Sequence, residues 1–263
     1  MENANQLLGL LHGLYGVGAV LSPLVATLLI TKAEIACAAI ELITCVFFFW
    51  DSTAAEFLSG TIEDDDYSQA GLRQALFKYP YARATWIYAF FLLGHVGIEV
   101  ALGGWIVTFM MRVRNGEAFA RGMAVTGFWL GIAFGRVLLG FVTPRIGEKL
   151  GIIVYSHLAI ALGLILWLVP NFYAPVIAVS LQGFFFGPSF PGVVVVATKL
   201  LPRVLHVSAI GFAAAFGGGG AAVLPFAVGA IAKAKGVQVL QPFITGLSGG
   251  ILLLWLGLPI IKK

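Results

Sequence analysis

Eight apolar runs, most of them the length of a bilayer crossing, leave this chain little choice but a membrane. A helical span needs about 20 mostly apolar residues. Reading between charges and prolines places the runs at roughly 7–30, 35–50, 84–109, 121–142, 151–169, 173–198, 207–232 and 240–260. The second is short and extends back through Thr31 if its entry turn is tight. Of the 263 residues 60% are hydrophobic and only 11% charged, against about 25% charged in soluble domains. The runs are continuous rather than alternating, which predicts helices and excludes a transmembrane barrel. The expected class is all-α: a polytopic protein of about eight transmembrane helices, with the lipid bilayer as its first partner.

One long polar segment, 51–83, interrupts the runs with six acids and three bases. It reads as a solvated, partly disordered linker. Its acidic run Glu63–Asp66 lacks the spacing of a calcium loop. A cytoplasmic linker puts nine Lys and Arg on that side against six opposite, with Arg136 inside a span, which is the orientation the positive-inside rule favours. Trp86 and Trp105 bracket one run, as interfacial belts do. The basic residues sit singly between runs, so the net charge of +4 does not suggest nucleic acid. Cys37 and Cys45, eight apart on one helix, lie about 12 Å apart, too far for a disulfide. The run-in "MENANQ" has no positive charge and does not read as a signal peptide. There is no nucleotide-binding loop, no metal-spaced Cys/His cluster and no Ser-His-Asp arrangement. Neither an enzyme nor a bound cofactor or metal is expected.

The chain also repeats itself. Residues 9–27, "GLLHGLYGVGAVLSPLVAT", align with 211–229, "GFAAAFGGGGAAVLPFAVG". Gly18 then meets Gly220 and Pro23 meets Pro225. Internal repeats mark secondary transporters. The later copy lies in the fifth of the six runs after the linker. If the earlier copy is also a fifth helix, four helices should precede it. The expected organisation is therefore 1–50, the last two helices of an N-terminal half; 51–83, the cytoplasmic linker; and 84–263, a complete six-helix C-terminal half.

The segments "LLHGLYGVGAVLSPLVAT", "GIEVALGGWIVTFM", "FWLGIAFGRVLLGFVTPRIGEKLG", "LQGFFFGPSFP" and "HVSAIGFAAAFGGGGAAVLPFAVGAIA" resemble the major facilitator superfamily. Within it they look like the fungal members related to fucose permease, including the bypass-of-stop-codon type. The resemblance runs through nearly the whole chain and implies helices 5–12 of a twelve-helix fold, N-terminally truncated. It singles out the loop "GFVTPRIGEK", in which Gly140, Arg145, Gly147 and Lys149 match the family's cytoplasmic motif and Pro144 replaces its usual Asp. The glycines suit a tight turn. Arg145 and Lys149 suit the carbonyl ends of helices and interfacial phosphates. Of the family's fifth-helix motif, Gly18 and Pro23 are kept, while Ser22, Ala26 and Thr27 stand for glycines. Antiport is therefore not inferred, and close helix packing explains the small residues.

Ionisable groups inside a membrane are expensive and point to function. In "GHVGIEVALGGW", His95 and Glu99 share a helix face at i,i+4, while Gly94, Gly97, Ala101 and Gly104 form a separate packing stripe. Such a helix lines a cavity, and the resemblance makes it an inner one, the seventh of twelve. Glu99, about 20 Å from the cytoplasmic end, is the candidate solute- or proton-binding carboxylate. His95 is its candidate proton partner or a solute hydroxyl ligand, with a packing histidine as the plainer reading. Arg136 pairs with Glu99 or Glu41 or snorkels to the cytoplasmic interface, the last slightly favoured. Gln182 in "LQGFFFGPSFPG" has aromatic neighbours suited to a polyhydroxylated ligand, or sits in a kinked helix facing lipid.

These readings lead to a secondary active transporter of a small polar organic solute. A sugar-like solute is favoured and a proton is a candidate coupling ion. The chain alone is expected to be inactive, its missing N-terminal helices or a full-length transporter being its partners. The alternative is a non-transporting scaffold or dominant-negative partner.

Overall fold

The computed structural model describes residues 71–115 and 118–258. The two N-terminal runs, the repeat copy with Gly18 and Pro23, and Glu41 lie outside the described residues.

Among the described residues the secondary structure is helical. Six helical stretches are long and apolar enough to cross a membrane, matching the last six runs. They are α1 (Tyr81–Arg112), α2 (Ala118–Ile146), α3 (Glu148–Leu168), a broken fourth span made of α4 (Tyr173–Phe186) and α5 (Ser189–Leu200), α6 (His206–Lys235) and α7 (Leu240–Leu256). Part of the segment read as linker is ordered: residues 71–77 are helical, and Ala75 is fully buried. Trp86 Nε1 donates to the Leu76 carbonyl at 3.2 Å, which ties this stretch to α1. An amphipathic patch, "LRQALF", lies there among the charges, and the polarity of the whole segment hid it.

The connections are short. Gly147 alone joins α2 to α3 at φ +91, a backbone state that glycine adopts without strain. Gly236 closes α6 at φ +85. Pro188 and Pro191 break the fourth span after Gly187. Each lacks an N–H, so the helical ladder cannot run through.

Helix α1 is the axis of the core, with Phe91, Ile98, Leu102, Ile106 and Phe109 buried along it. It packs chiefly on α6, and α2 packs chiefly on α4. Glycines set these distances. A Cβ at Gly131 would fall on the Ser180 carbonyl, one at Gly135 on the Phe184 carbonyl and one at Gly220 on the Leu93 carbonyl. Backbones in contact gain dispersion where no hydrophobic effect operates. The expected stripe on α1 holds at Gly94, against Ile251, and at Gly97, against Leu224 and the Gly220 carbonyl. It fails at Gly104, where no described atom lies within 4 Å of the Cβ position; Gly103 makes the contact instead, against Trp129. A one-residue step turns the helix by about 100°, enough to exchange a packed face for an open one.

Candidate functional site

Three of the four intramembrane residues singled out from the sequence come together between α1, α2 and the break in the fourth span. His95 and Glu99 project from α1 and Arg136 from α2. All are buried, at 1%, 5% and 3% exposure. Arg136 Nη2 lies 3.3 and 3.4 Å from the two Glu99 carboxylate oxygens. His95 Nε2 lies 3.3 Å from Glu99 Oε1, without hydrogen-bond geometry. These separations exceed the 2.7–2.9 Å typical of a tight charge-assisted bond. Arg136 Nε also donates to the Gly187 carbonyl at 3.3 Å.

The favoured reading of Arg136 as a snorkelling side chain is corrected here. Its guanidinium points inward because two acceptors wait there: a carboxylate one helix away and a carbonyl at a broken helix. His95 is packed among aromatic rings beside the carboxylate. Its ring stacks on Phe91 at 5.8 Å and meets the edge of Phe186 at 5.6 Å, while its Nε2 faces the carboxylate.

Gln182 is buried but not part of this group. Its Nε2 donates to the Ala159 carbonyl of α3 at 3.1 Å. It faces Gly163 and is near Thr245 of α7. Among the described residues its Oε1 has no hydrogen-bond partner, nor have Thr85 Oγ1, Tyr88 OH, Thr245 Oγ1 or either amide atom of Gln241. Buried polar atoms are rarely left unmet, and water is their usual partner. Two polar seams result. Thr85, Tyr88, His95 and Glu99 follow the 3–4 spacing of one α1 face, and Gln241, Thr245 and Ser248 do the same on α7. Sequence reasoning found only the charged end of the first. The signal for the rest lies in period-3.6 uncharged polar residues within apolar runs, a weaker mark than an intramembrane charge.

In the loop "GFVTPRIGEK" one of the two bases meets a helix end. Lys149 Nζ donates to the Leu258 carbonyl at 2.5 Å, at the C-terminal end of α7. Trp255 Nε1 of α7 donates back to the Lys149 carbonyl at 3.2 Å. Arg145 is exposed and Gly140 buried. Glu148 and Lys199 form an ion pair at 2.6 Å between α3 and α5. At the opposite end Arg114 donates to the Leu166 and Trp167 carbonyls, capping α3, and burial lowers its pKa from the ordinary arginine value. Pro225, matched to Pro23 in the repeat, lies inside α6, and its carbonyl accepts from Trp105 Nε1 at 3.1 Å. Trp105 is thus fastened to a helix rather than only lying at the interface. Among the described residues no cluster of metal-ligating side chains occurs.

This architecture has relatives. The structure is similar to that of FucP, titled a major facilitator superfamily transporter in the outward conformation. The TM-score is 0.61 and the identity 16%, covering 69% of this chain and 44% of that one. It is likewise similar to a second structure, of the E. coli fucose:proton symporter FucP, with TM-score 0.59 and 16% identity over 70% of this chain and 46% of that one. The chain has the major facilitator fold. In sequence it is 28% identical over 270 residues to Bypass of stop codon protein 6 of Saccharomyces cerevisiae (strain ATCC 204508 / S288c), across 90% of this chain and 54% of that protein. No family model matches. The major facilitator resemblance read from the sequence is borne out, as is the integral, multi-pass membrane character. The chain spans about half the length of the relatives it matches.

Proposed function

We propose that this chain is part of a secondary transporter for a small polar, sugar-like solute, residues 84–263 forming its carboxyl-terminal half, with Glu99 as its solute- or proton-binding carboxylate. The buried Glu99–Arg136 pair carries this reading. An ion pair in a bilayer costs several kcal/mol in desolvation, and a bundle that needed only stability would place apolar side chains there. His95 beside the carboxylate gives a proton a second station. Phe91 and Phe186 pack on the His95 ring and hold it beside the carboxylate. The fucose:proton symporter named above supports the sugar-like class by fold alone. Transport is expected when the missing N-terminal helices complete the cavity, since alternating access needs two six-helix bundles.

The test is ligand-induced stabilisation. Purified protein is heated with a panel of neutral sugars and sugar alcohols. A binder at 100 times its Kd adds about 2.7 kcal/mol. The expected result is a Tm rise with a subset of the panel that Glu99→Gln abolishes. A rise that Glu99→Gln leaves untouched would refute the assignment of Glu99.

A further inference from the structure

The break in the fourth span leaves a specific debt in hydrogen bonds. In a continuous helix the carbonyl of residue 187 accepts from the N–H of residue 191. Residue 191 is proline, which has none. The neighbouring bonds hold: Gly187 N–H donates to the Gly183 carbonyl at 3.0 Å, and Gly192 N–H to the Pro188 carbonyl at 2.9 Å, while Pro188 likewise removes the i+4 donor of the Phe184 carbonyl. Gly187 is seated against α2 so closely that a Cβ there would lie 2.5 Å from the Ile132 carbonyl oxygen and 2.7 Å from the Arg136 nitrogen. From that same α2 position Arg136 Nε reaches the Gly187 carbonyl at 3.3 Å, and its Nη2 reaches Glu99. Buried carbonyls in a membrane need a donor.

We infer that Arg136 is a positioning residue that replaces the backbone donor removed by Pro191 and so fastens the joint of the fourth span to the Glu99 carboxylate. One planar guanidinium serves both partners because Nε and Nη2 are separate donors in a fixed fork. Lysine keeps the charge but has a single terminal nitrogen and cannot reproduce that fork. The joint between α4 and α5 is therefore held by a side chain whose other partner is the carboxylate, and a change at Glu99 reaches the joint through one residue. A narrow cleft lined by Gly140, Thr143, Pro188, Pro191 and Gly192 lies beside the joint. The link to solute movement rests on the reading of Glu99 given above; the fastening does not.

Amide exchange of the peptide spanning 183–193, measured on the full chain in nanodiscs without solute, tests it. Arg136→Lys is expected to speed exchange there about tenfold, the effect of losing one charge-assisted hydrogen bond. Adding Pro191→Ala restores an N–H opposite the Gly187 carbonyl. The double variant is expected to return to the wild-type rate, a rescue that a general packing role for Arg136 would not produce. Unchanged exchange in Arg136→Lys, or no rescue by Pro191→Ala, overturns the proposal. Should Arg136→Lys fail to accumulate, the double variant decides: accumulation with wild-type exchange supports the fastening, and its absence overturns it. Because no solute is present, failure here is distinct from failure of the transport reading.

Discussion

The run "FGGGG" on α6 contains four glycines that look alike in sequence and should respond in opposite ways to one methyl group. Gly220 lies against the backbone of α1. A Cβ there would sit 2.7 Å from the Leu93 carbonyl carbon and 2.9 Å from its Cα, whereas ordinary contact begins at 3.4 Å. The obstacle is backbone, the Leu93 carbonyl oxygen lying nearest of all, so no rotamer change relieves it, and α1 and α6 must separate by roughly an ångström or more. Overpacking of this kind costs about 1–3 kcal/mol, and it falls on the most extensive helix contact in the bundle. Two residues earlier, Gly218 has no described atom within 4 Å of its Cβ position. There alanine brings only its better helix propensity, about 0.8–1 kcal/mol in favour. Gly220→Ala should therefore melt several degrees below wild type, and Gly218→Ala level with it or above. Thermal unfolding of the purified variants in detergent, followed by intrinsic tryptophan fluorescence, reads both. Equal destabilisation would mean that backbone contact at Gly220 does not set the α1–α6 distance.

Other outcomes follow from the buried charges and the proline kink. Arg136→Met strands the Glu99 carboxylate and should cost about 3–5 kcal/mol. Glu99→Gln/Arg136→Met should cost less than Arg136→Met alone, and a thermal double-mutant cycle checks this. Trp105→Phe removes the donor to the Pro225 carbonyl and the indole edge that faces Gly229, an expected loss of about 1 kcal/mol or more in the same assay.

Much of this was legible in the residues because bilayer physics is blunt. Apolar length placed all six described spans, and charge inside a span pointed to Glu99 and Arg136. The partner of Arg136 was harder to read. The sequence offers a snorkelling path and a carboxylate on another helix, and only helix packing decides between them. Even so, Pro191 announces an unmet carbonyl at Gly187, and a nearby intramembrane cation is a natural donor to it. Polar and flanked by phenylalanines, Gln182 reads in sequence like the charged residues. Its side chain instead turns toward α3, where Gly163 leaves room. Spacing puts Gly94, Gly97, Ala101 and Gly104 of α1 in one stripe, but spacing cannot say which neighbour lies opposite, and Gly103 rather than Gly104 carries the contact.

The central claim is that Glu99 takes part in moving a solute. Its most direct test is radiolabelled uptake into proteoliposomes holding this chain together with the half of the yeast relative that it does not match. The panel is the same set of neutral sugars and sugar alcohols, with wild type and Glu99→Gln side by side. The account predicts saturable uptake of at least one solute that Glu99→Gln lowers about tenfold or more, equivalent to about 1.4 kcal/mol. Saturable uptake indifferent to Glu99→Gln, or no saturable uptake of any member of the panel, would contradict it.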